Sequence, residues 1–158
     1  MKSKSVLNVK KSSKNTPYKP KSKSQVYITP DKVWEKIKEF WGYDKEEFFD
    51  PCPVNPTFNG LTIPWKELNY VNPPYAVKEL ELFVEKAYAA AAINGKISIM
   101  LLPSKTDQQW FHDLIKWGCE IRWLRGRLKF KNAEHSSPDP IFLVKIDPQG
   151  LLHSSRDE

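Results

Sequence analysis

The sequence lacks a long apolar run, and this absence restricts the kind of protein it encodes. Its 158 residues contain no stretch of about 18 apolar residues, roughly the length a membrane-spanning helix needs. The basic N-terminus is not followed by the apolar core of a secretory signal. We therefore expect no membrane partner and a cytoplasmic location.

Cysteines are also few. Cys52 and Cys119 have neither the spacing of a metal site nor the density of a disulfide scaffold. We expect both to be reduced thiols, as is usual in the cytoplasm, and we expect no metal ion.

Acidic residues are missing from residues 1–25, which carry eight lysines. The rest of the chain therefore has a net charge of +6 − 8 = −2. The segment is rich in Ser and poor in apolar residues, which predicts a disordered basic arm. Such an arm suits a polyanion such as DNA or RNA, and a solubilising tail or a targeting signal is the alternative.

Three segments have the apolar periodicity of helices. The stretch YITPDKVWEKIKEFWG predicts a helix with Thr29 as its N-cap, Pro30 at its first position and Gly42 as its stop. A second helix is predicted from AVKELELFVEKAYAAAAING. The third, SKTDQQWFHDLIKWG, contains a possible capping box of Thr106 and Gln109.

Apolar strands alternate with these helices. Phe48–Phe49, ELNYV and KISIMLLP are predicted strands, EIRWLRGRLKFK reads as a strand pair or a bulged strand, and IFLVKI is the last strand. The pattern predicts an α/β fold with a mostly parallel sheet and an antiparallel C-terminal strand pair. The predicted domain spans residues 26–147 and is followed by a flexible tail over residues 148–158.

Three notable loops, DPCP, NPPY and LLPSKTD, follow the first three predicted strands, and ligands bind at that edge of open α/β sheets. In NPPY, the Asn72 side chain and the Pro73 carbonyl are two acceptors held by a stiff backbone. Tyr75 adds a flat ring for stacking. This set suits an aromatic amino group, because two acceptors favour its pyramidal, more nucleophilic form.

Four residues recur by chance, so other interpretations of NPPY remain open at this point. The motif could be a stiff turn with Tyr75 in the core. A Pro-Pro-Tyr peptide ligand is a third interpretation, which the position of the motif between core elements disfavours.

Six segments, in their order along the chain, resemble the phage-type DNA N6-adenine methyltransferases (Dam-like), which use S-adenosylmethionine. They are YITP, FFDPC, an Asn-Gly-Leu…Trp stretch (Asn59, Gly60, Leu61 and Trp65), YVNPPY, LLPSKTDQQWFHD and RGRLKF. The resemblance implies a reduced Rossmann-like methyltransferase fold. It also implies site-specific transfer of a methyl group from S-adenosylmethionine to the N6 amino group of adenine in double-stranded DNA.

The resemblance also assigns roles to residues. Asn72, Pro73 and Tyr75 would hold and stack the adenine, with Pro74 fixing the loop. The cofactor would be bound by Tyr27, Thr29, Asp50, Pro51 and Cys52. For Thr29 a plain N-cap role is compatible with this, and for Asp50 a cap or an ion-pair carboxylate is the alternative.

The sequence departs from the family in the cofactor loop. PVNP follows Asp-Pro-Cys where the family has Gly-rich residues, and no glycine occurs before Gly60. Asn59 stands where an Asp is usual. The backbone must therefore approach the cofactor differently, and the short distance from Asp50 to Asn72 leaves no room for a separate DNA-recognition domain.

DNA contact must then come from the elements already present. Arg125, Arg127 and Lys129 share one face and are the expected nucleic-acid-binding residues, although a solvated edge strand would look the same. Lys105 and Trp110 are expected beside the site, Trp110 more as a core residue than as a base platform.

Two other functions remain open on the sequence alone. One is methylation of RNA adenine or of a protein glutamine. The other is a reduced methyltransferase fold that binds nucleic acid without catalysis. The sequence does not indicate an oligomeric state.

Overall fold

The computed structural model of the protein describes residues 27–151, so the predicted basic arm lies outside the described residues. The described part has three α-helices, α1 (Asp31–Trp41), α2 (Val77–Asn94) and α3 (Gln109–Lys116). Its strands are β1 (Leu68–Val71), β2 (Ile97–Pro103), β3 (Glu120–Trp123) and β4 (Ile141–Ile146), and a 3-10 helix spans Lys45–Glu47. None of these helices is both long enough and apolar enough to cross a membrane.

The four strands form one mixed sheet in the order β1-β2-β4-β3. β1 pairs with β2 in parallel, and β4 pairs with both β2 and β3 in antiparallel fashion. The α/β class and the antiparallel C-terminal pair are confirmed. A mostly parallel pairing is not found, because β4 lies between β2 and β3. The side chains of β4 are almost all buried and those of β3 are mostly exposed, which places β4 inside the sheet and β3 at its edge.

The sheet is covered on both faces. On one face α2 and α3 bury a cluster that includes Phe83, Leu114 and Phe142. On the other face α1 and the segment around Leu128 bury a second cluster with Val33, Ile37, Leu128 and Phe130. Residues of β2 alternate between the two clusters, as expected for a strand buried on both sides.

Helix ends marked by glycine are confirmed. α1 is followed by Gly42 at φ 78° and α2 by Gly95 at φ 67°, both in the left-handed conformation that glycine adopts without steric penalty. The predicted strand at Phe48–Phe49 is reduced to one parallel bridge between Phe49 and Asn69.

The predicted side-chain caps are wrong. Pro30 is the N-cap of α1, and the Thr29 hydroxyl instead lies 2.5 Å from the Tyr70 hydroxyl. The box of Thr106 and Gln109 does not form, because α3 begins at Gln109 with Gln108 as its N-cap. In both cases the residues of the capping pattern are present, but the helix begins one or two residues later than the pattern predicts.

The second half of EIRWLRGRLKFK is not a strand. After β3 the chain turns at Gly126, with φ 80°, and continues as irregular backbone in which Leu128 and Phe130 are buried. The alternation of apolar and basic residues therefore reflects burial against the β-sheet rather than strand pairing. The predicted tail begins with a helical turn at residues 148–151, and Leu151 packs against the α2–α3 cluster.

Candidate active site

The loops that carry Asp50, Asn72 and Lys105 all leave the sheet at the carboxyl ends of its parallel strands. Phe49 is held beside β1 by two backbone hydrogen bonds, from its own N–H to the Leu68 carbonyl and from the Tyr70 N–H to the Phe49 carbonyl, each 2.9 Å. Because Phe49 and β2 both run parallel to β1, the residues after them emerge at the same end as Asn72. The convergence expected from the sequence is therefore present.

Asn72 is buried, with 6% of its surface exposed, and its amide has a defined orientation. Nδ2 donates a hydrogen bond of 2.7 Å to the Tyr27 carbonyl. A carbonyl only accepts, so this contact assigns the nitrogen and leaves the Oδ1 acceptor for another donor. Within residues 27–151 no group donates to Oδ1 or to the Pro73 carbonyl, which stays outside the α2 ladder because α2 begins at Val77.

Three aromatic rings, those of Tyr27, Tyr75 and Phe130, lie together beside the NPPY loop. The Tyr75 hydroxyl donates to the Leu101 carbonyl at 3.2 Å, which fixes the ring, and burial holds the pKa of this phenol well above its usual value. The Tyr75 ring meets Phe130 edge to face at 6.2 Å. Tyr27 stacks on Phe130 at 4.8 Å with an interplanar angle of 21°. Phe130 was not predicted as a site residue, although it ends the RGRLKF segment that resembles the family.

These rings form one wall of a cavity of about 560 Å³. The remaining wall is formed by Lys105, which follows β2, and by residues 132–139. Lys105 forms an ion pair of 2.8 Å with Asp139 across the cavity. Lys105 is thus beside the NPPY loop as expected, whereas Trp110 is 4% exposed and packs in the core.

The rim of this cavity joins two distant parts of the chain. The Ile28 N–H donates to Asn132 Oδ1 at 2.8 Å, and the Lys131 N–H donates to the Ile28 carbonyl at 3.1 Å. Lys131 Nζ also lies 2.7 Å from Asp31 Oδ1. The segment that carries Tyr27 is therefore anchored to the loop that follows Phe130.

Asp50 leaves the sheet beside β1 and carries an unusual carboxyl group. Oδ1 accepts a hydrogen bond of 2.8 Å from the Cys52 N–H. Desolvation of the carboxyl group outweighs this bond and raises its pKa from 3.8 to about 6, although the residue as a whole is exposed. No lysine or arginine of the described part forms an ion pair with it. Such a carboxylate favours a cationic ligand.

Cys52 points away from the surface. Its side chain is 6% exposed and belongs to the core cluster with Val71 and Trp65, and burial raises the pKa of the thiol to about 12. Both cysteines are free. Among residues 27–151 no group of three or more His, Cys, Asp or Glu residues is arranged to bind a metal ion.

The loop after Asp50 is supported by the Asn-Gly-Leu…Trp stretch. A Cβ atom on Gly60 would lie 1.8 Å from the Pro51 carbonyl oxygen, so only glycine allows the two backbones to pack this closely. Trp65 Nε1 donates to the Gly60 carbonyl at 2.8 Å, and Asn59 Oδ1 accepts from the Leu61 N–H at 3.0 Å. The loop after Asp50 contains no glycine of its own, and the close backbone packing there depends on Gly60 from the neighbouring segment.

The predicted DNA-binding residues lie on the irregular segment after β3. Arg125, Arg127 and Lys129 are all exposed, and the Arg127 guanidinium donates to the Pro138 carbonyl on the cavity rim. Arg125 also lines a small cleft of about 110 Å³ together with Lys32 and Lys36 of α1, which the sequence did not single out.

A family model described as DNA N-6-adenine-methyltransferase (Dam) matches residues 15–140, which is well over half of the chain. The match includes the loops that carry Asp50, Asn72 and Lys105 as well as Phe130, and it ends just before β4. No curated protein and no solved structure is significantly similar to the chain. Since the matched region contains every loop of the site, the chain belongs to the DNA N-6-adenine-methyltransferase (Dam) family.

Proposed function

We propose that the protein transfers a methyl group from S-adenosylmethionine to the N6 amino group of adenine at specific sites in double-stranded DNA. The observation that carries this proposal is the Asn72 amide, whose nitrogen is bound by the Tyr27 carbonyl while its oxygen remains available. Membership of the family supports DNA adenine as the target.

The adenine would occupy the aromatic cavity. An adenine inside a duplex is inaccessible, so the base must be flipped out and stacked on side chains. Tyr75 and Phe130 meet edge to face, and a base stacked on Tyr75 would displace Phe130 and Tyr27 from this arrangement. The Tyr75 ring itself stays in place because its hydroxyl is bonded to Leu101.

Asn72 and Pro73 would activate the amino group. Asn72 Oδ1 and the Pro73 carbonyl would each accept one N6 hydrogen, which favours the pyramidal nitrogen and makes its lone pair available. The N6 lone pair would then form a bond to the methyl carbon while the methyl–sulfur bond breaks and leaves its electron pair on sulfur, and the methylated nitrogen would lose one proton to solvent. Tyr75 is not a proton acceptor in this scheme, since burial raises the pKa of its phenol and keeps it protonated.

The negative charge of Asp50 is complementary to the positive charge of the methyl donor. S-adenosylmethionine, when bound, supplies an electrophilic methyl group on a positively charged sulfur. Asp50 would stabilise a positive charge of this ligand, since its desolvated carboxylate has no cationic partner in the described chain. Tyr27, Thr29, Pro51 and the backbone of Cys52 would complete the pocket.

Duplex DNA would lie across the basic segment beside the cavity rim. Arg125, Arg127 and Lys129 are exposed there and would contact backbone phosphates. Lys32 and Lys36 extend this surface from the segment onto α1.

Methylation in cells tests the activity and the role of Asn72 together. The protein is expressed in cells that lack adenine methylation, and the genome is sequenced for N6-methyladenine. Asn72→Ala should lower the methylated fraction by about 100-fold or more, in line with the removal of a preorganised hydrogen-bond acceptor. Asn94→Ala, an exposed change at the end of α2, serves as the control.

Two results would contradict the proposal. Absence of N6-methyladenine with the wild-type protein would rule out the activity. Methylation by Asn72→Ala at the wild-type level would rule out the assignment of the acceptor.

The loop after Asp50 favours one alternative function. Pro51 and Pro53 lack N–H groups, and the Cys52 N–H is already bonded to Asp50, so few backbone donors remain for a cofactor. A module that binds nucleic acid without catalysis would tolerate this. Calorimetry with S-adenosylmethionine separates the two, because 1:1 binding is expected only for the enzyme. A separate assay in vitro compares methyl transfer to DNA, RNA and protein, and it identifies which of the three is the acceptor.

A further inference from the structure

A second cavity adjoins the first and has no part in the proposed reaction. It has a volume of about 190 Å³ and lies between the starts of α2 and α3. Tyr75, Pro103 and Lys105 line both cavities, so the two are separated only by these side chains. A ligand in the smaller cavity would be a direct neighbour of a base held on Tyr75.

One side of the smaller cavity is apolar. Val77, Leu80 and Trp110 line it together with Pro103. Val77 is 51% exposed although it stands at the first position of α2, next to the NPPY loop. An apolar side chain left open beside the site is suited to covering the face of a flat, largely apolar group.

The other side presents a carboxylate and an amide. Asp107 and Gln108 are consecutive residues in the turn before α3, and Gln108 Nε2 lies 3.5 Å from Asp107 Oδ2. A carboxylate repels phosphate, but it accepts a hydrogen bond from the amino group of a nucleobase, and glutamine pairs with the amino and ring-nitrogen edge of adenine. Lys105 also lines this cavity, but its ammonium is paired with Asp139 at 2.8 Å, so the polar lining suits a base better than the DNA backbone.

We propose that this cavity binds a nucleobase adjacent to the target adenine, and that Asp107 and Gln108 determine which base is accepted there. The inference rests on the proposed function. It gives the protein a way to select its site, since the base is recognised by two residues at the wall of a cavity that adjoins the proposed catalytic one.

The sequence context of methylation tests the inference. Wild type, Asp107→Asn and Gln108→Ala are expressed in cells that lack adenine methylation, and the bases flanking each N6-methyladenine are counted. Each variant should lose discrimination at one flanking position by about fivefold or more, which is the range for removing a hydrogen bond to a base edge. Gln109→Ala is the control, because Gln109 Nε2 bonds to Asp113 at 2.9 Å along α3, and its context should match wild type.

Thermal unfolding of each variant separates folding from recognition. If Gln108→Ala does not fold, the isosteric Asp107→Asn decides the question. A folded Asp107→Asn with the wild-type context overturns the inference, and so does a uniform loss of methylation in every context. Absence of methylation by the wild-type protein instead overturns the proposed function, which keeps the two failures distinct.

Discussion

At the scale of single residues, Asp50 links stability to ligand binding. Desolvation raises the pKa of its carboxyl from 3.8 to about 6, so the folded state holds a proton that the unfolded state has lost between those values. The stability from this proton is therefore complete below about pH 4 and is lost as pH rises through about 6. Because Asp50 is exposed at the surface, the loss of stability at neutral pH is small.

The first prediction concerns Asp50→Asn. The amide keeps an acceptor for the Cys52 N–H but removes the charge. Relative to wild type, the variant should have a higher Tm at pH 8, and this gain should shrink towards pH 4; the gain should be small because the residue reaches solvent. Thermal unfolding of the free protein at both pH values provides the measurement.

Ligand binding should change in the opposite direction. At pH 8 calorimetry should show weaker binding of S-adenosylmethionine to Asp50→Asn than to wild type. Glu46→Gln removes a nearby exposed carboxylate and serves as the control for charge alone. The account of Asp50 would be contradicted if the Tm of Asp50→Asn, relative to that of wild type, were lower at pH 8 than at pH 4.

The contacts of the site residues explain what the sequence could predict. Asn72 and Tyr75 could be singled out because a residue type and its neighbours suffice to suggest their chemistry. The Tyr27 carbonyl and the Phe130 ring could not, because they reach the site across 45 residues in one case and through the fold of an irregular segment in the other. Local sequence does not encode such contacts.

At the scale of elements, the Asn59–Trp65 segment acts as a support for the loop after Asp50. Gly60 packs on the Pro51 carbonyl, and Trp65 bonds back to Gly60. The position of the loop thus depends on a segment that contributes no side chain to the proposed pocket.

Gly60→Ala should separate the two backbones. Its Cβ would lie 1.8 Å from the Pro51 oxygen, so the loop must shift. We expect a loss of about 1–3 kcal/mol in the free energy of unfolding, the usual range for overpacking, together with weaker binding of S-adenosylmethionine. Urea unfolding and calorimetry measure the two effects.

A matched control is Gly150→Ala. There the added Cβ would lie 3.4 Å from the Gly118 carbonyl, a tolerable contact. If Gly60→Ala unfolds at the same urea concentration as this control and as wild type, the close packing inferred for Gly60 is wrong.

Helices and strands could be predicted from the sequence where a single local pattern, such as apolar periodicity or a terminal glycine, was sufficient. The amphipathic periods of α1, α2 and α3 and the glycines after α1 and α2 placed the helices correctly. The prediction of Thr29 as an N-cap was wrong because its hydroxyl is bonded to the Tyr70 hydroxyl, 41 residues away, instead of to the helix backbone. The stretch from Arg127 to Phe130 misled because burial alone produced an alternation that resembles a strand.

At the scale of the whole molecule, positive charge is divided between the N-terminal residues and the surface near the site. Residues 1–25 carry eight lysines and no acid, while the remainder sums to −2. The remainder can therefore bind DNA only through a local concentration of charge such as Arg125 and Lys129.

The salt dependence of binding should reveal both contributions. Affinity for a short duplex is measured by fluorescence anisotropy at several salt concentrations. Deleting residues 1–24 should flatten the slope of log affinity against log salt. Arg125→Gln with Lys129→Gln should flatten it by about 0.9 for each phosphate that the variant no longer neutralises.

The double change Lys86→Gln with Lys96→Gln is the control. It removes the same charge near the start of β2, at the other end of the sheet. A slope that responds equally to both double changes would show that only net charge matters and would contradict a defined DNA surface.

The place of β4 in the sheet determines when the chain can fold. β4 is the last strand of residues 27–151, yet it pairs with both β2 and β3. During synthesis these two strands leave the ribosome before the strand that joins them. Until Ile146 has emerged, one hydrogen-bonding edge of β2 and both edges of β3 remain open to chaperones or to other nascent chains. The sheet therefore cannot be completed before β4 has emerged, and a chain that stops before Ile141 would be prone to aggregate.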